Sequence, residues 1–452
     1  MQFELTREYM DELKKLIEAR NDALALTKIN TLHPADIAEI FSELDPDESN
    51  YLYHLLDSEK SADVLVELGE DEREQFIEEM PGEMIARKVI DNMESDDAAD
   101  FLGELSEEMQ EEVLQSIEDI EQAGDIADLL SYDPDTAGGL MAKELIKVNE
   151  DWDIARCIRE IRKQASEVNE FYYVYVVDED EMLKGTVSLK KLLISRPLTR
   201  IRNIVNTNII SVKTDTPSEE VANIMKKYDL VSLPVIDTIG RLVGRITIDD
   251  VVDVIKEEAE KDYQLISGIT EDVQPTDNIF IRTRARLPWL IIGLTGGILG
   301  SRVISMHEAD LKISPEMALF FPLIGAMGGN AGVQSSSIVV QGIAAGTIDL
   351  HGITGKLIKE LSVALVNGLI LSGLIFLYNL LFSDSFALTL TVSVALFSVI
   401  LFASVFGTFV PLMLQRFKID PALATGPFIT TTNDIIGLSI YLAMGRALYG
   451  IF

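Results

Sequence analysis

Residues 173–193 read YVYVVDEDEMLKGTVSLKKLL and residues 232–252 read SLPVIDTIGRLVGRITIDDVV, one unit written twice at a spacing of 59 residues. Asp178 corresponds to Asp237, Gly185 to Gly244 and Ser188 to Thr247. Each copy runs from a β-branched strand through an Asp-led turn into a second strand entered at Gly, then into a helix. A tandem α+β pair over residues 131–258 therefore occupies the middle of the chain, and the sequence on either side follows different rules.

Upstream, residues 1–130 form an acidic α-helical domain. Between about residues 32 and 117, apolar marks at Leu44, Leu56, Leu68, Met80, Met93 and Leu105 recur about every twelve residues. Short stacked helices in a superhelix give that step. The fragments IAEIFSELDPDE, SADVLVELGEDE and AADFLGELSEEM alternate an apolar face with an acidic turn, and Asp or Ser before Pro, Glu or Asp is a good N-cap context. Asp96 and Asp100 lie four apart on one helix face, as cation ligands or as part of a solvated surface.

Downstream, residues 249–286 form an acidic connecting helix and linker. Asp250, Asp253, Glu257 and Glu258 make an acidic stripe beside an apolar one of Val251, Val254 and Ile255. Pairing of the apolar stripe between two copies would bring their acids together. Residues 287–452 carry only 7 Lys+Arg and 8 Asp+Glu, against 31 and 66 in residues 1–286. Stretches long enough to span a bilayer begin at about Leu287, Ala318, Leu357, Ala387 and Leu423, giving a five-helix transmembrane domain. Basic residues collect before the first and third spans and between the fourth and fifth, so the N-terminus is expected in the cytoplasm and the C-terminus outside a plasma membrane.

Two of these spans carry polar groups at depth. The second contains FPLIGAMGGNAGVQSSS, where Gly328, Gly329 and Asn330 read as a turn and Asn330 and Gln334 as groups lining a wet path. The fifth opens as DPALATGPFITTTNDIIG, residues 420–437. Pro427 after Gly426 suggests freed carbonyls, and Asp434 follows with Thr430 and Thr431 nearby. An intramembrane Asp is expensive and marks an ion pathway by default. Mg²⁺ keeps most of its waters and needs few, well-placed oxygens, which suits this donor set. His and Cys are absent from both segments, so soft metals lack preferred ligands there.

A net charge of −36 over 452 residues speaks against nucleic acid as a partner. The lone Cys157 forms no intrachain disulfide, the start has no apolar signal region, and no nucleophile stands with a base at useful spacing, so an enzyme is not expected.

In order and motif, the whole chain resembles the MgtE family of magnesium channels, with GGNAGVQ and DPALATGPFITTTND as its specific signatures, and the doubled unit resembles a pair of CBS domains. The resemblance implies a multidomain homodimer in the lipid bilayer that passes Mg²⁺ inward through a pore at Asp434. It further implies closure by cytosolic Mg²⁺ at acidic interdomain sites. By position the implied metal ligands are Asp96, Asp100, Asp229, Asp250, Asp253, Glu258, Asp262 and Asp420, with Glu219 and Glu257 as further candidates. CBS pairs commonly bind ATP or another adenosine nucleotide, and Thr247 and Asp250 match the ribose-contacting pair. The first copy has Lys191 at the Asp position. Pro217, Lys261 and Gly426 depart from some family members. Alternatives are transport of Co²⁺ or Mn²⁺, or a membrane-anchored cation sensor.

Overall fold

Helix starts set the architecture of the first 130 residues. The structure, a computed structural model, describes residues 3–77, 80–165, 168, 171–270, 273, 278–344, 347–348, 352–424 and 426–449. After α1 (Arg7–Glu18) and α2 (Asp22–Ile29) come α3 (Pro34–Ser42), α4 (Pro46–Tyr53), α5 (Ser58–Val66), α6 (Glu70–Ile77) and α7 (Gly82–Lys88). The twelve-residue step lengthens where a 3₁₀ turn, Ile90–Asn92, precedes α8 (Ser95–Gly103), and resumes with α9 (Glu107–Ser116) and α10 (Ile120–Leu129).

Caps enforce these starts by satisfying backbone N–H groups that a helix leaves unpaired. Asp57 accepts from Lys60 N–H at 2.9 Å and Asp119 from Glu121 N–H at 2.8 Å, while Asp45 and Glu48 form a reciprocal capping box. The inward faces bury Ile37, Leu52, Leu65, Ile85, Phe101 and Val113.

The doubled unit forms two three-stranded sheets of one plan. In the first, β1 (Lys147–Asn149) runs parallel to β2 (Val174–Val177), which pairs antiparallel with β3 (Leu183–Val187). In the second, β4 (Val212–Lys213), β5 (Ser232–Ile236) and β6 (Leu242–Thr247) repeat that order. The Asp-led turns form for the same reason in both: Asp178 accepts from the N–H groups of Asp180 and Met182, and Asp237 from those of Ile239 and Arg241. Helices α11 (Ile154–Gln164), α12 (Leu189–Ile194) and α13 (Ser218–Tyr228) complete the pair. The second copy shares one apolar cluster with the N-terminal helices, through Leu233, Ile246 and Val251, whereas the first copy closes around Val148, Cys157 and Val174. Burial pushes the Cys157 thiol up to about 11, which keeps it inert.

Two compact units result, Met1–Lys256 and Glu257–Phe452, with α14 (Ile248–Ile266) beginning in one and ending in the other. Val251 and Val254 of the expected apolar stripe are buried in the first unit's own core, leaving Val252 and Ile255 exposed.

The second unit holds α15 (Ile279–Met306), α16 (Glu308–Ile313), α17 (Phe321–Ala344), α18 (Ile353–Phe382), α19 (Phe386–Arg416) and α20 (Pro427–Tyr449). Among the described residues, α15, α18 and α19 are long and apolar enough to cross a membrane; α17 and α20 carry the polar and glycine-rich segments. The expected turn at Gly328, Gly329 and Asn330 does not form, and α17 runs through it unbroken. In lipid the backbone must satisfy itself, which favours helix over the low helical propensity of Gly. The glycines serve close approach instead. A Cβ on Gly328 would stand 2.9 Å from Val399, and one on Gly407 of α19 would collide with the carbonyl of Gly332.

The segment expected as the fifth span does not free the carbonyl of Gly426. A 3₁₀ turn, Pro421–Ala424, leads to Gly426 at φ +53°, and Pro427 is the first residue of α20. Gly426 O accepts from Thr430 N–H at 3.0 Å and from its hydroxyl at 2.9 Å.

Gly407→Leu should overpack the α17–α19 crossing by roughly 1–3 kcal/mol or more. The expected readout is a lower melting temperature by fluorescence size exclusion; unchanged melting would mean that the crossing is not tight.

Candidate functional site

Two acidic places stand out, one in each unit. In the first, the opening turn of α8 faces the segment before β1 and the start of α14. Ser95 is buried and donates its N–H to Glu144 Oε1 at 3.1 Å and its hydroxyl to Glu144 Oε2 at 2.7 Å. Its Oγ accepts from Lys143 N–H at 2.9 Å. One carboxylate oxygen from each of Glu94, Asp96 and Glu144 then lies within 4.8 Å of the others. Arg245 of β6, only 4% exposed, meets Glu94 at 3.1 Å.

The cluster extends to α14. Asp250 accepts from Thr247 N–H at 3.0 Å and from the Thr247 hydroxyl at 2.8 Å, so the pair matched to ribose recognition also caps the helix. Burial, then the charges of Asp250 and Asp97, hold the Asp96 carboxyl well above the usual range. Burial and Asp250 push Asp97 up to about 7, and Asp250 itself is raised to about 6, by burial first. Burial also raises Glu94, against the opposing pull of Arg245. Hard oxygen donors this close, with negative charge in excess, suit a divalent cation of the Mg²⁺ or Ca²⁺ type.

In the second unit, Asp434 of α20 faces the glycine face of α17. A Cβ on Gly325 would stand 3.4 Å from Asp434 Oδ1, and one on Gly329 would stand 3.7 Å from it. Both are ordinary van der Waals separations, so the carboxylate lies directly against that surface. Beside it Asn433, 1% exposed, is set against Gly332, and neither of its amide atoms has a hydrogen-bond partner in the structure.

The other expected residues fall in several places. Thr430 packs on Gly329, and Thr431 lies against Gly296 of α15. Asn330 and Gln334 line a cavity with α18 and α19. Asp100 lies on α8 and contributes to the charge around Asp97 and Asp250. Asp253 is exposed on α14. Glu257, Glu258 and Asp262 occupy the part of α14 in the second unit, where Lys261 pairs with Glu258 at 3.3 Å. Asp229 caps α13 in the left-handed region at φ +50°, and Glu219 sits in the first turn of α13. Asp420 accepts from Ala422 N–H at 2.8 Å, shaping the entry to α20. At that entry a Cβ on Gly426 would collide with the carbonyl of Ile266, and Leu265 packs with Val340 and Ala422.

Comparison with known proteins shows the family of the chain. A family model described as a divalent cation transporter, MgtE, matches residues 321–444. The MgtE intracellular N domain matches residues 32–135, and the CBS domain matches residues 137–196 and 201–257. The magnesium transporter MgtE of Thermus thermophilus is 33% identical over 432 residues, covering 94% of this chain and 96% of its own length. The chain belongs to the MgtE family. The Bacillus subtilis magnesium transporter MgtE is 31% identical over 422 residues, covering 93% of this chain and 92% of its own. Among solved structures, the cytosolic domain of the Mg²⁺ channel MgtE in complex with ATP matches 54% of this chain and 99% of its own at 33% identity and a TM-score of 0.51. The soluble part of a magnesium transporter matches 56% and 98% at 29% identity and a TM-score of 0.50.

Relative to the sequence reading of this MgtE-family chain, the structure adds Glu94, Asp97, Glu144 and Arg245 to the first cluster. An Arg inside the strand LVGRIT was the available signal, since a charge at a buried strand position requires a partner.

The raised carboxyls have a pH consequence. Asp97 titrates from an ordinary 3.8 when unfolded to about 7 when folded, so between those values the folded chain binds more protons, and stability falls as pH rises. In chelator, the full chain should melt several degrees lower at about pH 8 than at about pH 5.5, and Mg²⁺ should restore the loss. Asp97→Asn should reduce the difference, Asp96 and Asp250 carrying the rest; equal melting of the native chain at both pH values would refute the raised carboxyls.

Proposed function

We propose that this chain is a magnesium channel or transporter of the plasma membrane, working as a homodimer and passing Mg²⁺ inward down its electrochemical gradient. The observation that carries this reading is Asp434 set on the side-chain-free surface of Gly325 and Gly329, within a helix bundle of membrane-spanning character. A membrane potential of 100 mV contributes about 4.6 kcal/mol for a divalent ion moving inward.

A hydrated Mg²⁺ needs few direct protein ligands, and a carboxylate at Asp434 attracts it through its water shell. A two-fold axis through the path would present a pair of Asp434 carboxylates. The Thr430 hydroxyl binds the Gly426 carbonyl, so it stabilises the path's entry and leaves the charge to Asp434. The termini follow the distribution of basic residues, with the N-terminus cytoplasmic and the C-terminus outside.

Closure by cytosolic Mg²⁺ is the second part of the reading. Glu94, Asp96 and Glu144, with Asp97, Asp100 and Asp250 around them, are the residues of the first unit that would hold the ion. Further groups of this system are Asp229, Asp253, Glu257, Glu258, Asp262, Asp420 and Glu219. A divalent cation supplies the positive charge that this acid-rich region lacks. Moving the closed fraction from one to ninety-nine per cent takes about 5.5 kcal/mol of differential binding, within reach of several weak carboxylate sites acting together. The CBS pair takes ATP or a related adenosine nucleotide at Thr247 and Asp250, a reading supported by the ATP complex of the similar cytosolic domain.

The test is Mg²⁺ flux into proteoliposomes of the purified chain. Asp434→Ala should lower flux at least tenfold in protein that still folds, and equal flux would place the path elsewhere. Asp96→Asn with Asp250→Asn should leave flux insensitive to Mg²⁺ on the cytosolic side; retained inhibition would remove the cluster from gating. Because the matching family model covers divalent cations, competition by Co²⁺ and Mn²⁺ in the same assay decides the cargo.

A further inference from the structure

Each carboxylate of the acid triad in the first unit is fixed by its own donor. The two oxygens of Glu144 accept from the N–H and hydroxyl of Ser95, at 3.1 Å and 2.7 Å. Asp96 Oδ1 accepts from the Asp97 N–H at 3.0 Å. Glu94 Oε2 accepts from Arg245 Nη2 at 3.1 Å. Ser95 and the Asp97 amide are neutral donors, whereas Arg245 brings a full positive charge to a place crowded with acids.

The fold sets that charge in place. Gly244, Arg245 and Ile246 are all buried along β6. Arg245 N–H donates to Ala142 O at 2.9 Å, and its carbonyl accepts from Ala142 N–H at 2.8 Å. A further interaction besides the Glu94 pair restrains the residue as well. The pair is closed on one side only, since the Arg245 side chain is 5% exposed and that of Glu94 is 25% exposed. A cation from solvent therefore has access to Glu94, but cannot displace the guanidinium into water. Burying an Arg–Glu pair gives little net stability, because desolvation of both charges offsets their attraction. A stabilising role alone does not account for it.

We propose that Arg245 is a resident counter-cation that competes with the divalent ion for Glu94 and so sets the Mg²⁺ concentration at which the cluster fills. This rests on the reading of the cluster as a Mg²⁺ site given above. Without the ion, the guanidinium neutralises one acid and ties the start of α8 to β6 across 151 residues of chain. With the ion bound, two like charges share Glu94, and the site is weakened. A guanidinium keeps its charge at every pH the protein meets, so loss of a proton never relieves this repulsion. Burial keeps water and salt from screening it. A monovalent cation has no charge advantage over the guanidinium already present, whereas a divalent one has.

The experiment follows the melting temperature of the purified full chain in detergent, from chelator to tens of millimolar Mg²⁺ at constant ionic strength, and reads the midpoint of the rise. Arg245→Gln should melt lower than the native chain in chelator, and its midpoint should fall roughly fivefold or more, because Glu94 is left without its countercharge. Arg245→Lys, which keeps the charge, should stay within about twofold of the native midpoint. Equal destabilisation by Arg245→Gln at every Mg²⁺ concentration would make the pair purely structural and overturn the proposal. A higher midpoint would overturn it too, since Arg245 would then orient Glu94 for the ion. Should Arg245→Gln fail to fold, Glu94→Gln with Arg245→Gln removes both partners and leaves no buried charge alone. That double variant should have a midpoint at least threefold below that of Glu94→Gln; equal midpoints would overturn the proposal. Asp96→Asn with Asp250→Asn separates the two readings. If those substitutions leave the native midpoint unchanged, the cluster is not the Mg²⁺ site and both readings fall; if they move it and Arg245→Gln does not, this proposal alone falls.

Discussion

Three helices meet at Gly332, and the second unit is arranged around that contact. A Cβ there would collide with Asn433 of α20, and the carbonyl of Gly332 occupies the space where Gly407 of α19 lacks one. Lipid gives helices little hydrophobic reason to associate, so such close, side-chain-free contacts supply the packing. The cost is visible at Asn433, whose amide is held at 1% exposure without a hydrogen-bond partner in the structure. One residue further along α20, the same contact turns Asp434 toward Gly325 and Gly329. The acid therefore lies against a glycine-spaced face of a different helix.

The first unit is organised by the opposite tension. Its apolar core joins the N-terminal helices to the second CBS copy, while the opening turn of α8 sets Asp96 and Asp97 beside Asp250 and Glu144. Burial and like charge raise the Asp96, Asp97 and Asp250 carboxyls, so the core holds together a surface that repels itself. Arg245 offsets part of this through Glu94, and Ser95 orients Glu144. A fold under such stress responds to any added positive charge, whether proton or divalent cation. That common response is why the pH dependence expected of this cluster and the cation binding proposed for it have one physical origin.

The polar residues of α17 show how one helix serves two environments. Gly325, Gly329 and Gly332 face α20, whereas Asn330, Gln334 and Ser335 border the cavity shared with α18. A linear reading groups all of them into one polar segment, because they lie within eleven residues of one another. Their separation depends on the helical period acting through a segment whose glycines suggested a turn. Glu360 went unnoticed for a related reason, since it stands near the start of an apolar stretch and its partner Ser335 lies on another helix.

Local chemistry was written in the sequence itself. The helix step of the N-terminal domain, the doubled strand-turn-strand-helix unit and the acid at residue 434 depend on capping, alternation and hydropathy, which act over a few residues and need no distant partner. Asp57, Asp178 and Asp237 each do in the structure what their local context implies. Only the tertiary structure could join Glu94, Glu144 and Arg245, which span 151 residues between Glu94 and Arg245 and carry no pairing rule along the chain. It likewise decided that the glycine-rich stretch of α17 is continuous helix, because the alternatives leave backbone groups unsatisfied in lipid while neighbouring helices accept a surface without side chains.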